Sequence, residues 1–158
     1  MRALIPLLLI LVAACGAPTA SSEAHEMSAG ASVAAIDAWA APTPAGVDVA
    51  AGYMTITNSA GAADHLLSAT SQRAQRVEVH EMSMDGGVMR MRQLERLEIP
   101  AHGEMQLRPG GNHLMFFGIH EPFEQGQEIP VRLVFEHAGA IDVTLPVRRT
   151  APADHNGH

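Results

Sequence analysis

The chain has 158 residues, a formal charge of -7 and a single cysteine. This length accommodates one domain with a hydrophobic core but not two, once the polar ends are subtracted. The acidic balance and scattered arginines leave no basic patch, which excludes nucleic acid as the expected partner. Because Cys15 precedes the predicted domain, that domain has no internal disulfide and no thiolate nucleophile or metal ligand. The unusual feature is the nine histidines and nine methionines.

Residues 1–14 have the pattern of an export signal. Arg2 is followed by an apolar run of about eleven residues, roughly half the length of a membrane-spanning helix. The sequence Val12-Ala13-Ala14-Cys15 directly after this run resembles the bacterial lipobox, in which the signal is removed before a cysteine that then carries a lipid. We therefore expect a lipoprotein signal peptide over 1–14 and a lipid anchor at Cys15, which places the protein in the periplasm or cell envelope. The alternative is an ordinary signal peptide that happens to precede a cysteine.

Two polar segments flank the predicted domain. Residues 15–31 consist mostly of Ala, Ser, Thr, Gly and Pro, a composition typical of a flexible tether. Residues 148–158 form a polar tail that contains His155 and His158.

Residues 32–147 are predicted to form one all-β domain. Short runs of alternating or β-branched character are separated by Gly, Pro and Asn, and no segment sustains a helical period for three turns. Many short strands in about 115 residues predict an antiparallel sandwich or barrel. The predicted strands are Val33–Trp39, Val47–Asn58, His65–Ser71, Arg76–Met82, Val88–Arg92, Met105–Leu107, His113–Ile119, Ile129–Glu136 and Ile141–Val147.

Imidazole and thioether groups are combined in two of these strand regions. Side chains alternate along a strand, so His113 and Met115 point to the same face. A hairpin turn at Asp85–Gly87 would return the strand carrying Met91 beside the strand carrying His80. Thioether sulfur is soft and neutral and binds Cu(I) well, whereas imidazole suits copper in either oxidation state. The four residues therefore predict a His₂Met₂ site for Cu(I), and the lack of a cysteine ligand disfavours a blue-copper electron-transfer centre.

The spacing of the four residues, H-x10-M-x21-H-x-M, resembles the signature of the PCuAC-type periplasmic copper chaperones. Further likeness lies in Gly52–Asn58, Ile99-Pro100 and Pro109–Gly111, and extends from about Ala38 through Val147. The resemblance implies a cupredoxin-like antiparallel β-sandwich that binds Cu(I) without catalysis. It also implies delivery of the metal to the dinuclear copper centre of cytochrome c oxidase, with oxidase subunit II or a thiol-bearing assembly factor as the acceptor.

Several neighbouring residues are predicted to stay outside the copper site. Met82 and Met84 share the face of His80 and are expected to fill gaps in the core rather than to form an auxiliary shell. Glu81 should point away from the metal, which disfavours a zinc hydrolase built on the two histidines and this carboxylate. The aromatic residues are expected in the core or in an apolar wall around the metal; they are Trp39, Tyr53, Phe116 and Phe117. The remaining domain histidines are expected to be surface or structural groups; they are His65, His102, His120 and His137.

Two questions stay open at this level. His25-Glu26-Met27 and the Asp154–His158 segment either capture copper weakly, as Cu(II), or are only solvated ends. The same ligand set would also serve a lipoprotein that buffers envelope copper rather than delivering it.

Overall fold

The computed structural model describes residues 32–149, which fold as ten β-strands. The predicted signal peptide, the lipobox with Cys15, the tether and most of the polar tail lie outside these residues. No helix in residues 32–149 is long and apolar enough to cross a membrane. The strands are β1 Val33–Ala40, β2 Val49–Asn58, β3 Asp64–Thr70, β4 Ala74–Asp85, β5 Val88–Leu94, β6 Leu97–Ile99, β7 Gly103–Leu107, β8 His113–Ile119, β9 Glu128–Phe135 and β10 Gly139–Pro146.

The strands form a nearly closed antiparallel barrel. Hydrogen bonding runs in the order β1-β2-β8-β4-β3-β9-β10, and β5, β6 and β7 pair with β4, β3 and β2. A bridge between Ala40 and Val147 brings the two ends of this order together. The predicted all-β fold class is confirmed. Nine of the ten strands match predicted ones, whereas the three-residue β6, which pairs with β3, was not predicted.

The core fills the inside of the barrel and follows the period of two that half-buried strands require. Along β2 the buried positions are every second residue, from Ala50 to Asn58. Phe116 and Phe123 are fully buried and meet edge to face, with ring centroids 5.3 Å apart. Gly52 is needed for this packing, because a Cβ there would lie 2.9 Å from the ring of Phe116. Strand β8 is therefore fixed between β2 and β4, with Phe116 directed inward and its sequence neighbours directed outward.

A buried carboxylate, Asp64, joins β3 to the turn between β9 and β10. Its oxygens accept hydrogen bonds from the backbone N–H groups of His65, His137 and Ala138, at 2.7, 3.0 and 2.8 Å. Burial, the largest single influence, raises the pKa of Asp64, but the three backbone donors together outweigh it, and the net pKa is lowered. The ionised carboxylate thus ties the start of β3 to the turn between β9 and β10.

Candidate metal centre

Two histidines lie directly opposite each other on the outer face of the barrel. His80 in β4 pairs in register with His113 in β8, and opposed residues of antiparallel strands point to the same face. Their ring centroids are 6.1 Å apart. His113 is only 4% exposed and the side chain of His80 13%. Because a metal–imidazole bond is about 2 Å long, as in zinc sites, one ion can bind between two rings at this separation.

The two predicted methionine ligands flank this pair on opposite sides. Met115 follows His113 by two residues on the same face and lies opposite Glu78, which makes it a diagonal neighbour of His80. Met91 in β5 lies opposite Met82 and is the other diagonal neighbour of His80. Diagonal cross-strand neighbours are within reach of long side chains. The four predicted ligands therefore share one face of three adjacent strands, with Met91 separated from His113 by the width of β4.

The prediction that Met82 and Met84 fill gaps in the core is wrong. Met82 is partly exposed and Met84 is 69% exposed, and both lie on the face that carries His80. The physical reason is the length of the β4–β5 hairpin, which continues past the barrel to a turn at Gly86-Gly87. Beyond the barrel wall, neither face of a strand meets a core.

Hydrogen bonds assign a proton to one nitrogen of each histidine. His113 Nδ1 lies 3.0 Å from the carbonyl oxygen of Gly111, which can only accept, so Nδ1 carries the proton. Likewise, His80 Nε2 lies 2.8 Å from a carboxylate oxygen of Glu78 and donates to it. His113 Nε2 and His80 Nδ1 then keep their lone pairs, as metal-ligating nitrogens must. His80 Nδ1 is buried and has no hydrogen-bond partner within residues 32–149.

Glu78 is a member of the site that sequence reasoning missed. The hydrogen bond from His80 and a second one from Arg76, at 2.8 Å, lower the pKa of Glu78. The guanidinium of Arg76 in turn lies 4.2 Å from the ring centroid of Phe117. The available signal was strand parity, because Arg76, Glu78 and His80 alternate along β4 and so share one face.

Aromatic rings border the histidine pair on two sides. Tyr53 lies 6.5 Å from His113 between ring centroids and packs against Trp39 at 4.5 Å. On the other side, the ring centroid of Phe117 lies 5.7 Å from that of His80. Burial raises the pKa of Tyr53, as expected of a phenol in an apolar wall. Of the four predicted aromatic residues, Phe116 belongs to the core and the other three line the outer face.

The carboxylate considered for a zinc hydrolase faces away from the histidines. Glu81 pairs in register with Arg92, whose Nε donates a hydrogen bond of 2.7 Å to it on the opposite face of the hairpin. Within residues 32–149 there is no group of three or more His, Cys, Asp or Glu side chains placed to hold one metal ion. The other metal-binding groups near the histidine pair are the thioethers of Met91 and Met115.

Comparison with known proteins gives a family and a fold. The family model of the LpqE-like lipoproteins matches residues 33–147. A protein of Leifsonia xyli subsp. xyli, described as a lipoprotein, is 31% identical over 113 residues, which cover 71% of this chain and 68% of the relative.

Solved PCuAC structures share the same architecture. A copper-bound PCuAC domain from PmoF2 superposes with a TM-score of 0.65 at 23% identity, covering 75% of this chain and 94% of that domain. The Cu(I)-bound solution structure of DR1885 from Deinococcus radiodurans gives a TM-score of 0.59 at 26% identity, over 72% of this chain and 76% of that one. Its apo form covers 95% of both chains with the same TM-score at 25% identity.

Proposed function

The chain belongs to the LpqE-like lipoprotein family, and on that basis we propose that it is an envelope copper chaperone. It binds Cu(I) through His80, Met91, His113 and Met115 and passes the ion to an acceptor protein without catalysing a reaction. The likeness to the Cu(I)-bound DR1885 structure, at 26% identity, supports copper as the metal.

The observation that carries this proposal is the buried histidine pair. Two rings with centroids 6.1 Å apart each keep one nitrogen free, and both rings are oriented by acceptors that fix the proton on the other nitrogen. Thioethers complete the face, and soft neutral ligands favour Cu(I) over hard ions such as Mg²⁺ and Ca²⁺. All four ligands are uncharged, so another protein's ligands can displace them one at a time.

The proposed carrier works close to a membrane. Lipid on Cys15 anchors the domain through the tether, and copper leaves for oxidase subunit II, at the dinuclear copper centre of cytochrome c oxidase, or for a thiol-bearing assembly factor. The histidines of the two flanking segments add a weaker capacity for Cu(II), because imidazole binds that ion without help from sulfur.

The test is a titration of the reduced protein with Cu(I) in competition with a chromogenic Cu(I) chelator. His80→Ala and His113→Ala should each weaken Cu(I) binding strongly, since each removes one of the two imidazole ligands and leaves the other as the only one. His137→Ala is the matched control, because His137 is exposed, donates its backbone N–H to Asp64, and follows β9, which β3 separates from the strand of His80. X-ray absorption of the loaded protein should show both nitrogen and sulfur ligands. Equal affinity in all four proteins would refute the site.

Delivery is tested separately from binding. Loaded protein is mixed with an apo dinuclear-copper domain of oxidase subunit II, the two proteins are separated, and the copper content of each is measured. Retention of the copper in the presence of excess acceptor would favour the buffering function, for which the same ligands suffice.

A further inference from the structure

The β4–β5 hairpin carries more methionine than the proposed copper site uses. Met84 lies directly opposite Met89, and Met82 lies directly opposite Met91. We refer to Met82, Met84 and Met89 as the outer methionines. They lie on the same face as His80, at successive cross-strand pairs between His80 and the tip of the hairpin.

These side chains are exposed to an extent that packing does not explain. Met84, Met89 and Met91 are 69%, 63% and 46% exposed. Among the large hydrophobic side chains exposed in residues 32–149, they are the only methionines, and they all lie on this hairpin. Single exposed apolar residues are ordinary, whereas a cluster of them marks a binding surface. The other exposed hydrophobic side chain of the hairpin, Val88 at 58%, pairs with Asp85 on the opposite face. The large apolar side chains exposed on the face of His80 are therefore all methionines, which indicates that this face offers sulfur rather than apolar surface alone.

The two faces of the hairpin differ in chemistry. The charged residues occupy the opposite face, where Glu81 pairs with Arg92 and Asp85 lies 3.5 Å from Arg90. Strand alternation keeps the methionine face of the hairpin free of these charges. A metal on that face would meet thioether groups alone, a set that only a soft ion such as Cu(I) accepts.

The geometry allows the sulfurs to converge. Directly opposed residues of an antiparallel pair have Cβ atoms about 4.5–5.5 Å apart, and methionine has three rotatable side-chain bonds. The tip is a two-residue turn in which Gly86 and Gly87 both have positive φ, 58° and 81°, as a type I′ turn requires. This turn fixes the register that opposes Met84 to Met89.

We propose that the outer methionines form a second Cu(I) site, made of thioether groups alone, which exchanges copper with the histidine site. The proposal rests on the proposed function for the identity of the metal. The copper remains Cu(I) throughout, and the only bonds that form and break are those between copper and its ligands. Met82, which is next to His80 on the same face, links the two sites.

The decisive variant is Met84→Leu with Met89→Leu. Leucine keeps the apolar volume and so preserves any docking surface, but it removes both sulfurs. Met54→Leu is the matched control, because this methionine on β2 is buried in the core. Each protein, reduced and full length, is titrated with Cu(I) against a chelator, and the sulfur and nitrogen ligands are counted by X-ray absorption.

We expect wild type and Met54→Leu to bind a second, weaker Cu(I) ion with sulfur ligands only. Met84→Leu with Met89→Leu should lose that ion and keep the first, with its nitrogen ligands. The double variant His80→Ala with His113→Ala should lose the nitrogen-ligated ion and keep the all-sulfur one. Circular dichroism checks that the sheet is intact in each.

Failure of this inference is distinguishable from failure of the proposed function. If the leucine variant binds as many Cu(I) ions as wild type, with unchanged sulfur ligation, the outer site is refuted and the histidine site stands. If the histidine variant keeps all of its Cu(I) while the leucine variant loses it, the outer site stands and the proposed function is refuted. If wild type binds no Cu(I), both are refuted.

Discussion

Replacement of Glu78 by glutamine tests whether the second layer of the site controls copper affinity. The carboxylate holds His80 through a 2.8 Å hydrogen bond to Nε2 and leaves Nδ1 for the metal. Glutamine has the same shape and can still accept a hydrogen bond, but a neutral acceptor makes a bond roughly half as strong as an ionised one.

The expected loss follows from known metal sites. Removal of an outer partner of a ligating histidine typically lowers metal affinity about 10- to 100-fold. This corresponds to about 1.4 to 2.8 kcal/mol of binding free energy. We expect Glu78→Gln to fall in this range for Cu(I), with little effect on folding, because Arg76, the other partner of Glu78, is 60% exposed and remains solvated.

The assay is the Cu(I) competition titration, and the same chain offers a matched control. Glu81→Gln makes the same chemical change three residues later, at a carboxylate that pairs with Arg92 on the opposite face. It should leave Cu(I) affinity unchanged. Equal affinities for wild type and Glu78→Gln, or equal losses in the two variants, would refute the assignment of Glu78 as the residue that orients His80.

Four other outcomes are expected. Met91→Leu with Met115→Leu should weaken Cu(I) binding far more than Cu(II) binding, measured by separate titrations with circular dichroism as the folding control, because only the soft ligands are removed. Cu(I) affinity should fall as the pH is lowered from about 7 to 5, since protons compete for imidazole but not for thioether; a flat profile would exclude histidine ligation. Cys15→Ser should move the protein from the membrane fraction to the soluble fraction, and identical fractionation would refute the lipid anchor. Asp64→Asn should cost about 1–3 kcal/mol of unfolding free energy in urea at pH 7. Because the folded pKa of Asp64 is lowered, this contribution is present above the unfolded pKa of about 4 and should disappear as the pH falls through the folded value.

The local pattern of the sequence predicted most of the strands, because alternation and turn residues are visible within a few positions. The observed bounds of β8, His113–Ile119, are those predicted. The three-residue β6 was not predicted. Its pairing with β3 is a tertiary contact and leaves no local signal.

Strand parity, which decides which side chains share a face, predicted part of the site. Parity correctly placed His113 with Met115 on one face and Glu81 on the face away from His80. Parity did not show whether a strand face packs against the core. Met82 was therefore expected in the core, although the β4–β5 hairpin extends beyond the barrel. Tyr53 was expected either in the core or in an apolar wall around the metal, and parity could not decide between the two, because its place beside His113 depends on the register of a neighbouring strand.

The exposed fractions of the proposed ligands bear on whether the site releases copper or retains it. His113 is buried and backed by Tyr53, whereas Met91 at the other side of the face is nearly half exposed. An ion bound by these residues would therefore be shielded on its aromatic side and accessible from the hairpin. An incoming ligand from an acceptor would displace the exposed thioether first, and the histidine nitrogens would be released last. A protein that only stores copper gains nothing from an exposed ligand, because exposure increases exchange with every competing thiol. The exposure of Met91 therefore favours delivery over buffering, and burying it should slow transfer more than it changes affinity.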